Sequence, residues 1–119
     1  MQLLLLLFFI LAATLQEDDQ DLRESSFHAI DNAAVYQHIA SRVDWDGLVA
    51  SLPSLGKWEL EYALDILGLS GQIRYLPILE EYAHHTDPEI RVWADDAIEN
   101  INFRLKHTID PQMQGKLTV

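Results

Sequence analysis

Apolar residues recur in this chain at the period of an α-helix, and no stretch shows the alternation of a half-buried strand bounded by hairpin turns. Leu60, Ala63, Leu64 and Leu67 follow at i, i+3, i+4 and i+7. Ile90, Trp93, Ala94, Ala97, Ile98, Ile101 and Leu105 extend the same rule over several turns. Each such segment must hide one face, and a neighbouring helix with a similar face can hide it. Shorter stripes complete the pattern: Phe27, Ile30, Ala34, Val35 and Ile39, then Trp45, Leu48, Val49 and Leu52, then Ile73, Leu76, Leu79 and Ala83. The punctuation fits helices joined by short turns. Pro53 stops one segment, and Pro77 lies near the start of another, where a missing N–H is harmless. Gly68 stands where a left-handed C-cap is expected, and Asp87-Pro88-Glu89 supplies an N-cap, an N1 proline and a first-turn acid. The expectation is an all-α domain over residues 26–107, with about five helices and antiparallel neighbours. The Pro- and Gly-punctuated residues 108–119 are expected to form a flexible tail.

The pattern also repeats. A shift of 31 residues lays Tyr62 on Trp93, Ala63 on Ala94, Asp65 on Asp96, Leu67 on Ile98 and Leu48 on Leu79. A helix pair of that length is typical of stacked helical repeats, and a small residue at mid-helix lets the next helix approach closely. The stretches Leu60-Glu61-Tyr62-Ala63-Leu64-Asp65-Ile66-Leu67-Gly68, Leu76-Pro77-Ile78-Leu79 and Asp87-Pro88-Glu89-Ile90-Arg91-Val92-Trp93-Ala94 resemble the short HEAT-like repeat of the phycobilin-lyase type. The resemblance runs from about Trp58 to Ile101 and is weak from Phe27 to Leu52. It implies a short α-solenoid of antiparallel helix pairs, with second helices lining a concave face. Leu60 occupies the position where Arg91 stands in the following unit. In such repeats that arginine links neighbouring loops, so the first junction is expected to rest on apolar contact. The resemblance implies no single function, because repeats of this kind serve lyases, adaptors, scaffolds and a hydroxylase.

The N-terminus stands apart. Leu3 to Leu15 is almost unbroken hydrocarbon, with no charge before Glu17. As a helix it would be about 20 Å long, short of the about 30 Å of a bilayer core. Its length suits the apolar region of a signal peptide, so residues 1–15 are read as an export signal, or else as an uncleaved hydrophobic anchor. Residues 16–25, acidic and aperiodic, are read as a linker, with Ser25-Ser26 capping the helix that follows. The expected location is the periplasm or the exterior. The membrane is expected to be touched only through an uncleaved N-terminal segment.

Charge and composition then narrow the chemistry. The chain of 119 residues carries eight Lys plus Arg against nineteen Asp plus Glu, a net charge of −11. Nucleic acid is excluded as an expected partner, since phosphate binding needs clustered cations. There is no cysteine, so disulfides and thiolate metal sites are ruled out. His28, His38, His84, His85 and His107 form neither an H-E-x-x-H motif nor a His-Glu dipeptide, and adjacent His84 and His85 diverge by about 100° on a helix. The acid clusters Glu80-Glu81 and Asp95-Asp96-Glu99 alternate with the apolar stripe and are expected to face water. No nucleophile elbow and no glycine-rich phosphate loop occurs. No catalytic residue, metal ligand or cofactor is therefore assigned.

What remains is surface. Tyr75, Ile78, Tyr82 and His85 form a second stripe beside the expected buried one, with Arg74 next to it. A Tyr–Ile–Tyr row beside an arginine has the composition of a binding hot spot, and equally of a helix packed on both sides. The tryptophans Trp45, Trp58 and Trp93 lie near the expected junctions and are read as core anchors. The leading expectation is a non-catalytic protein-binding module, a small exported scaffold or adaptor. An acidic inhibitor or immunity-type protein that binds a basic partner is the second, and a lyase-like accessory of an enzyme is the third.

Overall fold

The structure is a computed structural model that describes residues 10–37 and 39–118, with side chains for 10–32 and 40–107. Residues 1–9 and His38 therefore lie outside it, as do the side chains of Ala34, Val35 and Ile39. The described chain is helical throughout, with no strand: α1 (residues 10–16), α2 (Gln20–Gln37), α3 (Asp46–Ser51), α4 (Lys57–Ser70), α5 (Leu76–Tyr82) and α6 (Pro88–Thr118). One-turn 3-10 segments at Ile39–Ser41, Leu52–Ser54 and Ile73–Tyr75 make the corners.

The acidic stretch expected as a linker over 16–25 is helical from Gln20 onward. Asp19 caps it: its Oδ1 accepts the N–H groups of Asp21 at 3.0 Å and Leu22 at 3.2 Å. First-turn acids stabilise a helix N-terminus, so a charge run that looks like linker is also a helix start. Ser25 and Ser26 lie inside the helix rather than capping it. Before it, Leu11 is buried in the core and Leu15 packs against it. At the other end α6 begins as expected, with Glu89 N donating to Asp87 Oδ1 at 2.9 Å. It continues to Thr118, through the residues read as a tail.

Cross-helix contacts fix the arrangement. Arg23 meets Glu59, His28 stacks on Tyr62, and Asp31 bonds to Asp65, so α2 and α4 run parallel. Glu61 meets Trp93, Gly68 meets Ala97, and Arg104 donates to the Leu69 carbonyl, so α4 and α6 run parallel too. Three alternate helices thus form one parallel row, the arrangement that helices antiparallel to their chain neighbours produce. The short α3 and α5 regions also pair in register, through Arg74–Asp44 and Tyr75–Asp46. A chain that returns through a short segment after each long helix brings its long helices together in the same direction.

The core follows the 31-residue shift at its main positions. Ala63 and Ala94 are fully buried, as are Leu48 and Leu79. Gly68, expected to cap α4, sits inside it instead; the left-handed cap is Gly71, with φ 65°. A Cβ at Gly68 would lie 2.6 Å from Ala97 Cα, so this glycine serves close approach of α6. Trp45 is fully buried, as expected, but Trp58 is 57% exposed.

Candidate functional site

Tyr75 leaves the proposed surface stripe. It is 3% exposed, and its hydroxyl accepts from Trp45 N at 2.8 Å and donates to Asp46 Oδ1 at 3.0 Å. Burial and the Asp46 acceptor push the phenol up to about 12, against the Trp45 N–H, which favours the phenolate. Ile73, expected in the buried stripe, is 52% exposed. The cause of both reversals is the 3-10 turn Ile73–Tyr75: three residues per turn rotate the side chains away from the α-helical register. Arg74 lies over the Tyr75 ring at 4.8 Å and pairs with Asp44 at 3.4 Å. It thus ties one corner of the fold together rather than flanking a surface row.

The other three predicted residues come together. Ile78, Tyr82 and His85 line an open groove of about 400 Å³, closed on the far side by Leu52, Pro53, Leu55 and Leu60. Glu81 stands at its edge. Tyr82 and His85 stack with ring centres 5.9 Å apart. Asp87 N donates to His85 Nδ1 at 3.0 Å, so the ring proton belongs on Nε2. Burial and the nearby Glu81 charge raise the Tyr82 phenol. The groove sets aliphatic side chains beside a phenol, an imidazole and one carboxylate, so its wall is mixed in polarity. The residues that sequence reasoning missed here are Leu52, Pro53, Leu55 and Leu60. Leu52 and Leu60 belong to buried stripes in the sequence and Pro53 to a helix stop, and only the packing of α5 beside the Leu52–Ser54 corner makes them a wall with Leu55.

The structure also holds carboxylates inside the helix row, at positions for which the sequence pattern made no assignment. Glu59 and Glu61 are each 4% exposed and Asp31 is 8% exposed. Arg23 Nη2 lies 2.7 Å from Glu59 Oε2, a Coulombic contact whose N–H is not aligned as a hydrogen bond. Burial raises the Glu61 carboxyl, opposed by Lys57 and by a hydrogen bond from the Trp93 side chain. Asp31 is pushed up to about 8, first by burial and then by its hydrogen bond to Asp65 and that group's charge. The missed signal was the length of apolar character on α4. A helix flanked on both sides buries every stripe but one, and its acids go inside with the rest.

The acid clusters Glu80-Glu81 and Asp95-Asp96-Glu99 are exposed, as expected. Among the described residues, no three His, Asp or Glu side chains are placed to share a metal ion, and no helix is long and apolar enough to cross a membrane. Compared with known proteins, the chain matches no family model, no curated protein and no solved structure.

Proposed function

We propose that this chain is a non-catalytic protein-binding module, a short HEAT-like solenoid that takes apolar side chains of a partner into the groove between the Leu52–Ser54 corner and α5. The observation that carries this reading is the groove itself. Ile78, Tyr82 and His85 meet Leu52, Leu55 and Leu60 around about 400 Å³ of open space. An aromatic anchor beside aliphatic walls, rimmed by a carboxylate and an imidazole, is the composition of an interface hot spot. Parallel alternate helices, a 31-residue shift that preserves buried alanines, and a cap at Asp87 support the repeat reading.

Residues 1–15 serve in this reading as an export signal or anchor. The burial of Leu11 at 3% and Thr14 at 4% favours a mature chain that keeps residues 10–16. Mass spectrometry of protein purified from the host envelope tests that point, and a mature N-terminus after Thr14 rejects it.

The groove is tested by Ile78→Ser combined with Tyr82→Ala. The double variant is expected to keep a cooperative helical melt and to lose the protein that the parent chain retains on an affinity column. Retention of the same protein by the variant rejects the groove.

A further inference from the structure

Three of the described histidines bind through Nδ1, and one of them does so in the opposite sense. His84 and His107 place Nδ1 at 2.9 Å from the Glu80 and Phe103 carbonyl oxygens, so those nitrogens carry the ring proton and donate it. A second proton, on Nε2, leaves both bonds intact. His85 does the reverse. Its Nδ1 accepts the Asp87 N–H at 3.0 Å and must stay bare to do so. An imidazolium has no bare nitrogen, so this bond and the charged ring exclude each other. Flipping the ring in place does not rescue the bond, because it turns Cδ2 toward the Asp87 N–H.

The same ring is part of the groove. It lines the wall with Ile78 and Tyr82, and it stacks on Tyr82 with the two planes 11° apart. The groups around it favour its departure once it is charged. Glu81 lines the same groove, and the Asp87 carboxylate lies close enough to interact with a His85 charge. From α4, Lys57 holds Asp87 at 3.3 Å and Glu89 at 3.1 Å. From α6, Arg91 donates to the His85 carbonyl at 2.8 Å and sets a like charge beside the imidazolium. The Tyr82 phenol, raised above its ordinary value, stays neutral where imidazoles ionise. Leu52, Pro53, Leu55 and Leu60 complete the wall with no charge to hold the ring.

We propose that the groove is gated by pH. Neutral His85 fixes its wall; the imidazolium leaves the Asp87 N–H and the Tyr82 ring, remodels the wall and releases a bound partner in acid. Release rests on the reading of the groove as the binding surface; the movement of the wall does not.

The test is a titration of the isotope-labelled full chain by NMR from about pH 8 to about pH 5. At the upper end the His85 ring nitrogens should report the Nε2–H tautomer. As His85 charges, protection of the Asp87 amide against hydrogen exchange should fall at least about tenfold, and the methyl signals of Leu52, Leu55 and Ile78 should move with the same midpoint. His85→Gln keeps an acceptor for the Asp87 N–H but takes up no proton. It should lose less than about twofold of that protection and leave the methyls still. His84→Gln should behave as the parent does. A wall that stays still while His85 ionises overturns the gate. Methyl shifts that persist in His85→Gln also overturn it, because the titrating group would then be Glu81 or Asp87. A moving wall in a chain whose Ile78→Ser, Tyr82→Ala variant still retains its protein keeps the gate and rejects only the groove as the binding surface. Elution of the retained protein at about pH 5 from the parent but not from His85→Gln supports release, and equal elution from both overturns it.

Discussion

On its α6 side, α4 meets its neighbour through Gly68 and Ala97, with Ala63 and Ala94 fully buried. On its α2 side it meets Arg23, His28 and Asp31 through Glu59, Tyr62 and Asp65. Both sides bury apolar residues, Phe27 and Ile30 among them on the α2 side. The difference lies in what sets the fit. The α6 junction is set by volume where the backbones approach, because Gly68 leaves no room for a larger residue there, while Glu61 and Lys57 meet α6 nearer its N-terminal end. The α2 junction is decided by charge and protonation, because buried carboxyls must be paired or neutral to stay there. The same helix is therefore fitted on one side chiefly by volume at Gly68, and on the other chiefly by buried charge, which answers to pH and salt. The expectation that the first junction rests on apolar contact alone is corrected by the Arg23–Glu59 pair and the Asp31–Asp65 bond. Leu60 does take the place of an arginine, but the charge enters from α2 instead.

The most severe way to break the volume-set junction is Ala94→Trp, which should lower unfolding free energy by about 3 kcal/mol in urea melts. Gly68→Ala is the finer version. Alanine improves helix propensity by about 1 kcal/mol, yet its Cβ overlaps the Ala97 backbone, so a net loss of about 2 kcal/mol is expected. A Gly68→Ala protein as stable as the parent would show that α6 does not pack this closely.

The charge-set junction breaks differently. Arg23→Met should cost about 2 kcal/mol, because Glu59 is left buried without its partner. Adding Glu59→Met to it should restore most of the loss. A double variant no better than the single one would mean that the pair supplies attraction beyond its own desolvation.

Asp31 sharpens the contrast through pH. Its folded value, about 8, lies above the ordinary 3.8, so the folded chain holds the proton that the unfolded chain has released. Its contribution is therefore complete below about pH 4 and is lost as pH rises to about 8. Asp31→Asn should match the parent at pH 4 and exceed it by at least about 1 kcal/mol at pH 8, read from melts across that range. A constant difference across pH would place the shared proton elsewhere.

The smallest effect sets the scale. Arg74→Gln removes a half-exposed pair with Asp44 and Asp46 and should change stability by less than about 0.5 kcal/mol.

Much of the architecture was legible without coordinates. The stripes of the two long central helices, the Asp87-Pro88-Glu89 start and the paired alanines are local signals. They survive because helix period and capping depend on neighbours within a turn or two. The candidate site was half legible. Ile78, Tyr82 and His85 do share a groove, while Tyr75 was drawn into the same row by assuming one continuous helix through Ile73. Asp19, which opens α2, was hidden among acids that read equally well as linker.

The sequence by itself determined the helical class, the main buried stripes and the absence of cysteine chemistry, since all three follow from residue type and short-range spacing. Only the tertiary structure decided that Gly68 is a contact rather than a cap, that Tyr75 turns inward, and that carboxylates lie inside the row. Those outcomes depend on which residues meet across tens of positions, and such meetings are selected by packing and desolvation of the whole assembly, which no local pattern encodes.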